Sequence, residues 1–350
     1  MSEPLLYPFT APPAAGEAIE VAPGIRWIRM PLPFALDHIN LWLVGEGDGV
    51  ALVDCGYGDA PTRELWSRHF TTTLGNRAPA RIAVTHYHPD HVGNAAWLAE
   101  RFDRPVWMAA AEFLTAHAVQ AGHSGHALAD TCALFRAHGV EEDHIAALEA
   151  RGNAYRRGVP GLPATYRRLF PGATLKLGGS EFRVIAGYGH SPEHASLHGA
   201  DRRVLISGDM LLPKISTNVA VWPAEPDADQ LARFLDSLAT FATLPDDTLV
   251  LPSHGLPFRG IRARVDALRE HHRERLAELV DAVGEAGGAA TAAEVVPVLF
   301  RRELDLQQRF FAIGEAIAHL NHLATAGRLA RDVSADGRIR FALPPTAMPA

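Results

Sequence analysis

Short apolar runs, each closed by a glycine or an acid, alternate along the first half of the chain with stretches whose apolar residues recur at helical spacing. Residues 24–30 and 40–44 read as antiparallel strands entering a core. A turn of glycines and acids over 45–49 then leads into the buried run 50–53. Asp54-Cys55-Gly56-Tyr57-Gly58 ends that run, and 61–70 fits a helix with Leu65, Trp66 and Phe70 on its apolar face. A buried strand over 81–85 runs straight into His86, a helix resumes over 93–102, and 106–108 is a short strand beyond it. Strands alternating with helices in this way point to an α/β architecture.

The pattern changes over about 112–172, where helical segments are broken by Gly122, Gly125, Gly139, Gly152, Gly158, Pro160 and Pro163 and no convincing strand is present. This stretch reads as an inserted helical lid or cap. Strand signals return at 174–177, 181–186, 203–207 and 248–251, with a helix near 229–244 between the last two. A long helix over 265–283 follows. Thr291 and Glu294 then fit a capping box, in which the two side chains satisfy free N–H groups at a helix start. Another helix spans 307–326, closing at Gly327, and 328–333 and 338–342 flank the hairpin signal Ala335-Asp336-Gly337. Helix, helix, helix, hairpin is the order of a winged-helix module. The expected division is therefore a catalytic domain over 1–260, carrying the insert, and a winged-helix-like domain over 261–350.

A length of 350 residues suits about two domains. Hydrophobic residues at 47% and charged residues at 21% set aside disordered and collagenous chains. A net charge of −7 gives no overall attraction to phosphate polymers. Cys55 and Cys132 are too few for a disulfide framework and lack C-x-x-C spacing, so two reduced thiols are expected. Residues 1–13 carry Glu3 and four prolines but no basic residue before an apolar run, and no stretch is long and uncharged enough to span a membrane. A soluble cytoplasmic protein is the expectation.

One feature of the composition changes the picture: 18 histidines, several grouped beside aspartates. The sharpest group is His86-x-His88-x-Asp90-His91, at the end of the strand 81–85. Histidines two apart after a strand point two imidazoles at one ion, and the Asp-His pair opening a helix aims at a second ion nearby. Further ligands are then needed from other strand ends. His190, Asp209 and His254 each sit just beyond an apolar run, where a scaffolded loop presents chemistry.

With Val53-Asp54-Cys55-Gly56, Gly189-His190-Ser191-Pro192-Glu193-His194, Ser207-Gly208-Asp209 and Ser253-His254-Gly255, these motifs make the chain resemble the metallo-β-lactamase-fold hydrolase superfamily. The resemblance is narrower to its glyoxalase-II-like and LACTB2-like branches, which add a C-terminal winged helix, and covers nearly the whole chain. It implies an αββα sandwich with a helical insert. It also implies that His86, His88 and His190 bind one metal, Asp90, His91 and His254 a second, and that Asp209 bridges both. Asp54 would then orient the ligand loop from behind. Two departures stand out: Cys55 replaces the family's common Thr, a small-for-small change, and Gly189-His190-Ser191 replaces its usual Pro-Gly-His-Thr. His190 is taken as the ligand over His194, whose expected role is hydrogen bonding or packing. His117, His123, His126, His138, His144, His271, His272, His319 and His322 are expected at the surface or satisfied in the core.

Two divalent ions holding a bridging water would lower its pKa toward 7 and produce the hydroxide nucleophile, with Asp90 taking or relaying the proton. Imidazole and carboxylate ligands suit zinc, iron and manganese alike, and zinc is the default. Lys214, one of only two lysines, lies just past Asp209 and is a candidate substrate contact. Arg156 and Arg157, in an arginine-rich stretch with Arg151, Arg167 and Arg168, are candidate clamps for a phosphate or carboxylate tail, although a solvated helical face is the favoured reading of such a cluster. From 261 to 350 there are 12 arginines against 12 acids and no lysine, so 12 − 12 = 0 net charge, and the third helix carries Glu315, His319 and His322 rather than a basic stripe.

The leading expectation is a dinuclear metal-dependent hydrolase of a small acyl substrate, a hydroxyacylglutathione-hydrolase-like enzyme for which the resemblance suggests a thioester. A single-strand endoribonuclease is the alternative, and a metal-dependent winged-helix DNA-binding regulator stands behind it. The expected partner is a small molecule, with no membrane. Nucleic acid is disfavoured by charge but kept open, and a homodimer would form through the winged helix or the insert.

Overall fold

The computed structural model describes residues 4–46 and 49–344. Gly47 and Asp48 of the expected turn, and Glu3 of the leader, lie outside the described residues. Strands β1 (Ile19–Ala22), β2 (Ile25–Pro31), β3 (His38–Glu46) and β4 (Gly49–Val53) form an antiparallel meander. Helix α1 (Ala60–Thr72) follows. It starts where Asp59 accepts from the Thr62 amide at 2.9 Å and Pro61 presets the first turn, and it buries Trp66 and Phe70. Then come β5 (Pro79–Ala83), α2 (Pro89–Val92), α3 (Ala95–Phe102) and β6 (Val106–Met108), with β5 parallel to β4 and β6 parallel to β5.

The region read as a wholly helical insert contains α4 (Ala110–Ala121), α5 (Leu128–Ala137), α6 (Glu142–Arg151) and α7 (Tyr155–Gly158), but also a strand, β7 (Tyr166–Arg168). The strand corrects the expectation that this stretch held none. It pairs parallel to β6 at the sheet edge, where its two arginines stay exposed, and that polarity hides it in the pattern. Next are β8 (Thr174–Leu177), β9 (Ser180–Gly187), β10 (His194–Gly199), β11 (Val204–Gly208), α8 (Gln230–Phe241) and β12 (Leu249–Pro252).

A seven-stranded sheet in the order β1-β2-β3-β4-β5-β6-β7 thus faces a five-stranded sheet in the order β12-β11-β10-β9-β8. Trp27, Trp42, Val44 and Val53 of the first pack with Leu177, Phe182, Val184, Leu197 and Ile206 of the second in one buried cluster. The opposite face of the first sheet buries Ile28, Leu41, Leu52, Ile82 and Val106 against Trp66, Phe70, Leu98 and Phe113 of α1, α3 and α4. This is the α/β architecture expected from the alternating pattern, in the sandwich form that the resemblance implied.

The chain ends with α9 (Ile261–Glu285), β13 (Ala289–Ala290), α10 (Ala292–Leu299), α11 (Leu306–Thr325), β14 (Ala330–Val333) and β15 (Ile339–Ala342). Thr291 and Glu294 close the capping box at α10, and Asp305 with Gln308 forms a second one at α11. The last three strands form a small sheet, β13-β15-β14. Among the described residues no helix is long and apolar enough to cross a membrane.

Two compact units result. One comprises Met1–Gln120, Ala154–Thr217 and Ser237–Asp266, and the other Ala121–Asn153, Asn218–Asp236 and Ala267–Ala350. The middle of the insert therefore belongs with the C-terminal helices, because its apolar face has a partner there. Phe135 packs edge-on against Phe310 at 5.7 Å, His138 stacks on Phe341 at 6.0 Å, and the His138 carbonyl accepts from the Ala293 amide at 3.1 Å.

Candidate metal centre

Strand direction brings the histidine and aspartate motifs together. Parallel neighbours send their following loops to the same sheet end, so Asp54 after β4 lies beside Thr85 after β5, with the Asp54 amide donating to the Ala83 carbonyl at 2.8 Å. In the second sheet β9 and β11 run alike on either side of β10, and β12 is parallel to β11, so His190, Asp209 and His254 also emerge at one end. His88 stands at the start of α2 with Pro89 in its first turn. The two histidines therefore precede the helix while Asp90 and His91 lie inside it.

Two sets of ligand atoms converge. One atom from each of His86, His88, His190 and Asp209 lies within 4.8 Å of the others, and the same holds for Asp90, His91 and His254. Asp209 faces both sets: its Oδ2 is 3.5 Å from His190 Nε2, and its Oδ1 is 3.5 Å from both His91 Nε2 and His254 Nε2. Asp90 Oδ2 lies 3.4 Å from His254 Nε2 and 3.7 Å from His91 Nε2. His86 Nε2 is 2.9 Å from His88 Nδ1 and 3.2 Å from His190 Nε2, so three imidazoles crowd one point.

The chemistry of this donor set fits metal ions. His91 Nε2 and Asp209 Oδ1 are buried without a hydrogen-bond partner, an arrangement that costs free energy unless something else satisfies them. Burial and the neighbouring histidines His91 and His88 hold His86 well below the usual imidazole range, and burial with His190 takes His88 down to about 3. Both therefore stand as neutral imidazoles, the form that ligates. Around the other set, burial opposes the charged forms, but Asp54, Asp90 and Asp209 outweigh it at His91 and raise it well above its ordinary value. At His254, burial is likewise overcome, first by Asp209, and the group rises to about 10. Asp209 is driven far down against burial by His254 and His91. The set is thus an electrostatically bound cluster of cations and carboxylates whose place a divalent ion can take.

Polar side chains from neighbouring strands fix the ligand loops. The Asp54 carboxylate is buried and accepts from the Thr85 amide (2.8 Å), the Thr85 hydroxyl (2.9 Å) and His91 Nδ1 (2.9 Å). Its backbone sits at φ 64°, a left-handed conformation that aspartate tolerates better than most residues. His254 Nδ1 donates to the His38 carbonyl at 2.8 Å, and His38 Nε2 accepts from the Gly255 amide at 3.0 Å. Asn40 Nδ2 donates to the Pro252 and Gly255 carbonyls, both at 2.9 Å. His194 is buried, and its Nε2 accepts from the Asp209 amide at 3.2 Å. His38, Asn40 and Glu112 did not stand out in the sequence, since their partners are remote in the chain. A lone acid in the apolar run 106–114 was the sole hint for Glu112.

The candidate substrate contacts are placed differently. Lys214 is exposed in the loop after Asp209, and Arg156 and Arg157 are exposed on α7, with Arg156 Nε donating to the Gln120 carbonyl at 2.7 Å. None of the three belongs to the converging sets. Their own segment is nonetheless tied to the motif. Tyr155 donates its hydroxyl to the Tyr87 carbonyl at 2.7 Å, and the Gly58 amide donates to the Gly158 carbonyl at 2.8 Å. At this crossing a Cβ on Gly158 would sit 2.2 Å from Tyr57 Cε2, one on Gly93 2.4 Å from the Gly158 carbonyl, and one on Gly58 2.4 Å from Pro160 Cδ. Side chains are excluded there, and three backbones touch.

The sequence matches the family model described as Metallo-beta-lactamase superfamily over residues 35–254, and the model described as Metallo-beta-lactamase-like, C-terminal domain, over 276–344. A solved beta-lactamase domain protein from Burkholderia ambifaria is 46% identical, with a TM-score of 0.91, covering 97% of this chain and 98% of that one. Among curated proteins, a Beta-lactamase-like protein 2 homolog from Caenorhabditis elegans is 25% identical over 73% of this chain and 68% of its own length. An Atrochrysone carboxyl ACP thioesterase from Aspergillus fumigatus is 23% identical over 81% of this chain and 75% of its own length. A Hydroxyacylglutathione hydrolase from Haemophilus ducreyi is 24% identical over 70% of this chain and 77% of its own length.

Proposed function

The chain belongs to the metallo-β-lactamase superfamily, and from that premise we propose that it is a dinuclear metal-dependent hydrolase of a small acyl substrate such as a thioester. The observation that carries the reading is Asp209, which turns one carboxylate oxygen to each of two converging donor sets. In this reading His86, His88 and His190 hold one ion, Asp90, His91 and His254 hold the second, and Asp209 serves both. Zinc is the default and iron or manganese suits the same ligands. When bound, such ions supply Lewis acidity and a water that ionises at neutral pH.

The chain's own residues do the rest. Asp90 Oδ2, within 3.4 Å of His254 Nε2, receives the proton of the attacking water and passes it toward the leaving group. Asp54 holds the His91 ring through Nδ1, leaving Nε2 turned to the centre. Lys214 on its loop, and Arg156 and Arg157 on α7, are the cations assigned to a carboxylate or phosphate tail of the substrate. The thioester assignment draws on the thioesterase and the hydroxyacylglutathione hydrolase among the relatives.

The test is hydrolysis by zinc-loaded protein of two panels, acyl thioesters and labelled single-stranded RNA, with Asp90→Asn run beside the wild type. Thioester turnover that falls about 10²–10⁴-fold in the variant is expected. RNA cleavage lost in the variant, with thioesters untouched, would replace this reading by the endoribonuclease.

A further inference from the structure

Glu112 sits in the first turn of α4, inside an apolar run, and is fully buried. A buried carboxylate needs donors, and this one has three. Its Oε2 accepts from the Tyr87 amide at 2.9 Å, and its Oε1 accepts from the Ser191 hydroxyl at 2.7 Å and the Glu193 amide at 2.6 Å. Tyr87 stands between His86 and His88, and Ser191 follows His190. One carboxylate thus ties together the two loops that supply all three histidines of the first donor set. The tie is reciprocal, because the Glu193 carboxylate accepts from the Ala111 amide at 3.1 Å, next to Glu112 itself. Burial pushes Glu112 up to about 7 against these hydrogen bonds. The loop of His254 is held by other residues, His38 and Asn40, while Asp54 reaches both sets, directly at His91 Nδ1 and through the Thr85 hydroxyl, which lies 3.0 Å from His86 Nδ1.

We propose that Glu112 is a positioning residue for the first donor set, fixing His86, His88 and His190 relative to one another, while the loop of His254 rests on a separate scaffold of His38 and Asn40. The proposal rests on the two-site reading above. Its consequence is that the two sets can be loosened independently by residues that touch neither ion, Glu112 for one and Asn40 for the other.

The experiment measures zinc uptake by the full metal-free chain in competition with a chromophoric chelator, resolving two binding steps. Cobalt(II) absorption assigns each step to the histidine-rich or the mixed set. Glu112→Gln is expected to weaken the step assigned to His86, His88 and His190 by about 10- to 100-fold and leave the other unchanged, whereas Asn40→Ala does the reverse. Ser191→Ala removes one of the three hydrogen bonds and weakens the same step as Glu112→Gln by less, so it decides the matter if Glu112→Gln fails to fold. Equal weakening of both steps by either residue, or a lower melting temperature with both affinities intact, overturns the proposal and leaves Glu112 a packing residue. A wild-type chain that takes up no zinc overturns the two-site reading instead.

Discussion

Two clusters of buried histidines occupy this molecule, one in each compact unit, and they differ in what the rings face. In the C-terminal unit His272 Nδ1 lies 3.1 Å from His319 Nε2, His319 Nδ1 donates to the Glu315 carbonyl at 2.8 Å, and Phe234 packs edge-on against His272 at 5.8 Å. Burial depresses members of both clusters, His88 to about 3 and His272 to about 2, while the carboxylates beside His91 and His254 raise those two. Each cluster also leaves a ring nitrogen without a partner, His91 Nε2 in one and His272 Nε2 in the other. The C-terminal unit pairs one imidazole with one carboxylate, His322 with Asp229 at 3.0 Å, but in the sandwich alone, among the described residues, do three or more such ligand atoms converge, and there an unpartnered Asp209 oxygen faces the unpartnered nitrogen. Buried neutral histidine is therefore a weak sign of a metal ligand, and mixed donors left unsatisfied together are a strong one.

The largest effect that separates the clusters is expected from Asp209→Ala. Loss of the carboxylate facing both sets should remove at least one equivalent of bound zinc per chain, measured by elemental analysis. It should also lower hydrolysis by more than the roughly 10- to 100-fold typical of residues behind the ligands. Full zinc content in this variant would erase the distinction drawn above. A smaller and different effect is expected from His272→Ala, which strips His319 Nε2 of its partner and should cost about 1–3 kcal/mol of stability in urea unfolding. Zinc content should stay at the wild-type value, and a drop would make the second cluster a metal site after all.

The last effect, comparable in size and seen only as pH falls, is in the pH dependence. Burial holds His272 at about 2 and His319 at about 4, below the ordinary imidazole value near 6.5. Between 6.5 and about 4 the unfolded chain binds more protons than the folded one, so stability is complete above that window and is lost as pH falls through it. The loss is on the order of 2 kcal/mol between pH 7 and 5 for such a group. A His272→Leu/His319→Leu double variant should flatten the urea midpoint over this range, and an unchanged slope would remove the pair as its source.

The strands at 50–53 and 106–108 were legible as apolar runs, and that at 174–177 as the alternation Thr-Leu-Lys-Leu ended by glycine. Strand β10 was not. His194-Ala195-Ser196-Leu197-His198-Gly199 reads as polar, yet all six residues are buried, with Ser196 donating to the Ser207 carbonyl at 3.0 Å. Polar groups that find partners inside a sheet leave no periodicity to read. The same holds at the centre. The motif carried by His86 to His91 is local and visible, whereas Glu112 acquires meaning from partners 25 to 81 residues away and Asn40 from partners more than two hundred residues away. The grouping of 121–153 with the C-terminal helices was equally hidden, since an apolar helix face does not name its partner.

The crossing of Gly58, Gly93 and Gly158 bears on how such a chain can diversify. Backbone contact at that point admits no substituent, so the root of the insert is tied to the motif and closed to drift. The stretch between α4 and α7 has a constraint of its own, toward the C-terminal helices: a Cβ on Gly139 would sit 2.6 Å from Thr291 Oγ1, and Phe135 and His138 pack on Phe310 and Phe341. The anchor at 155–160 therefore answers to the motif, whereas a change within 121–153 must be matched by the C-terminal helices, so the two parts of one insert are held to different partners.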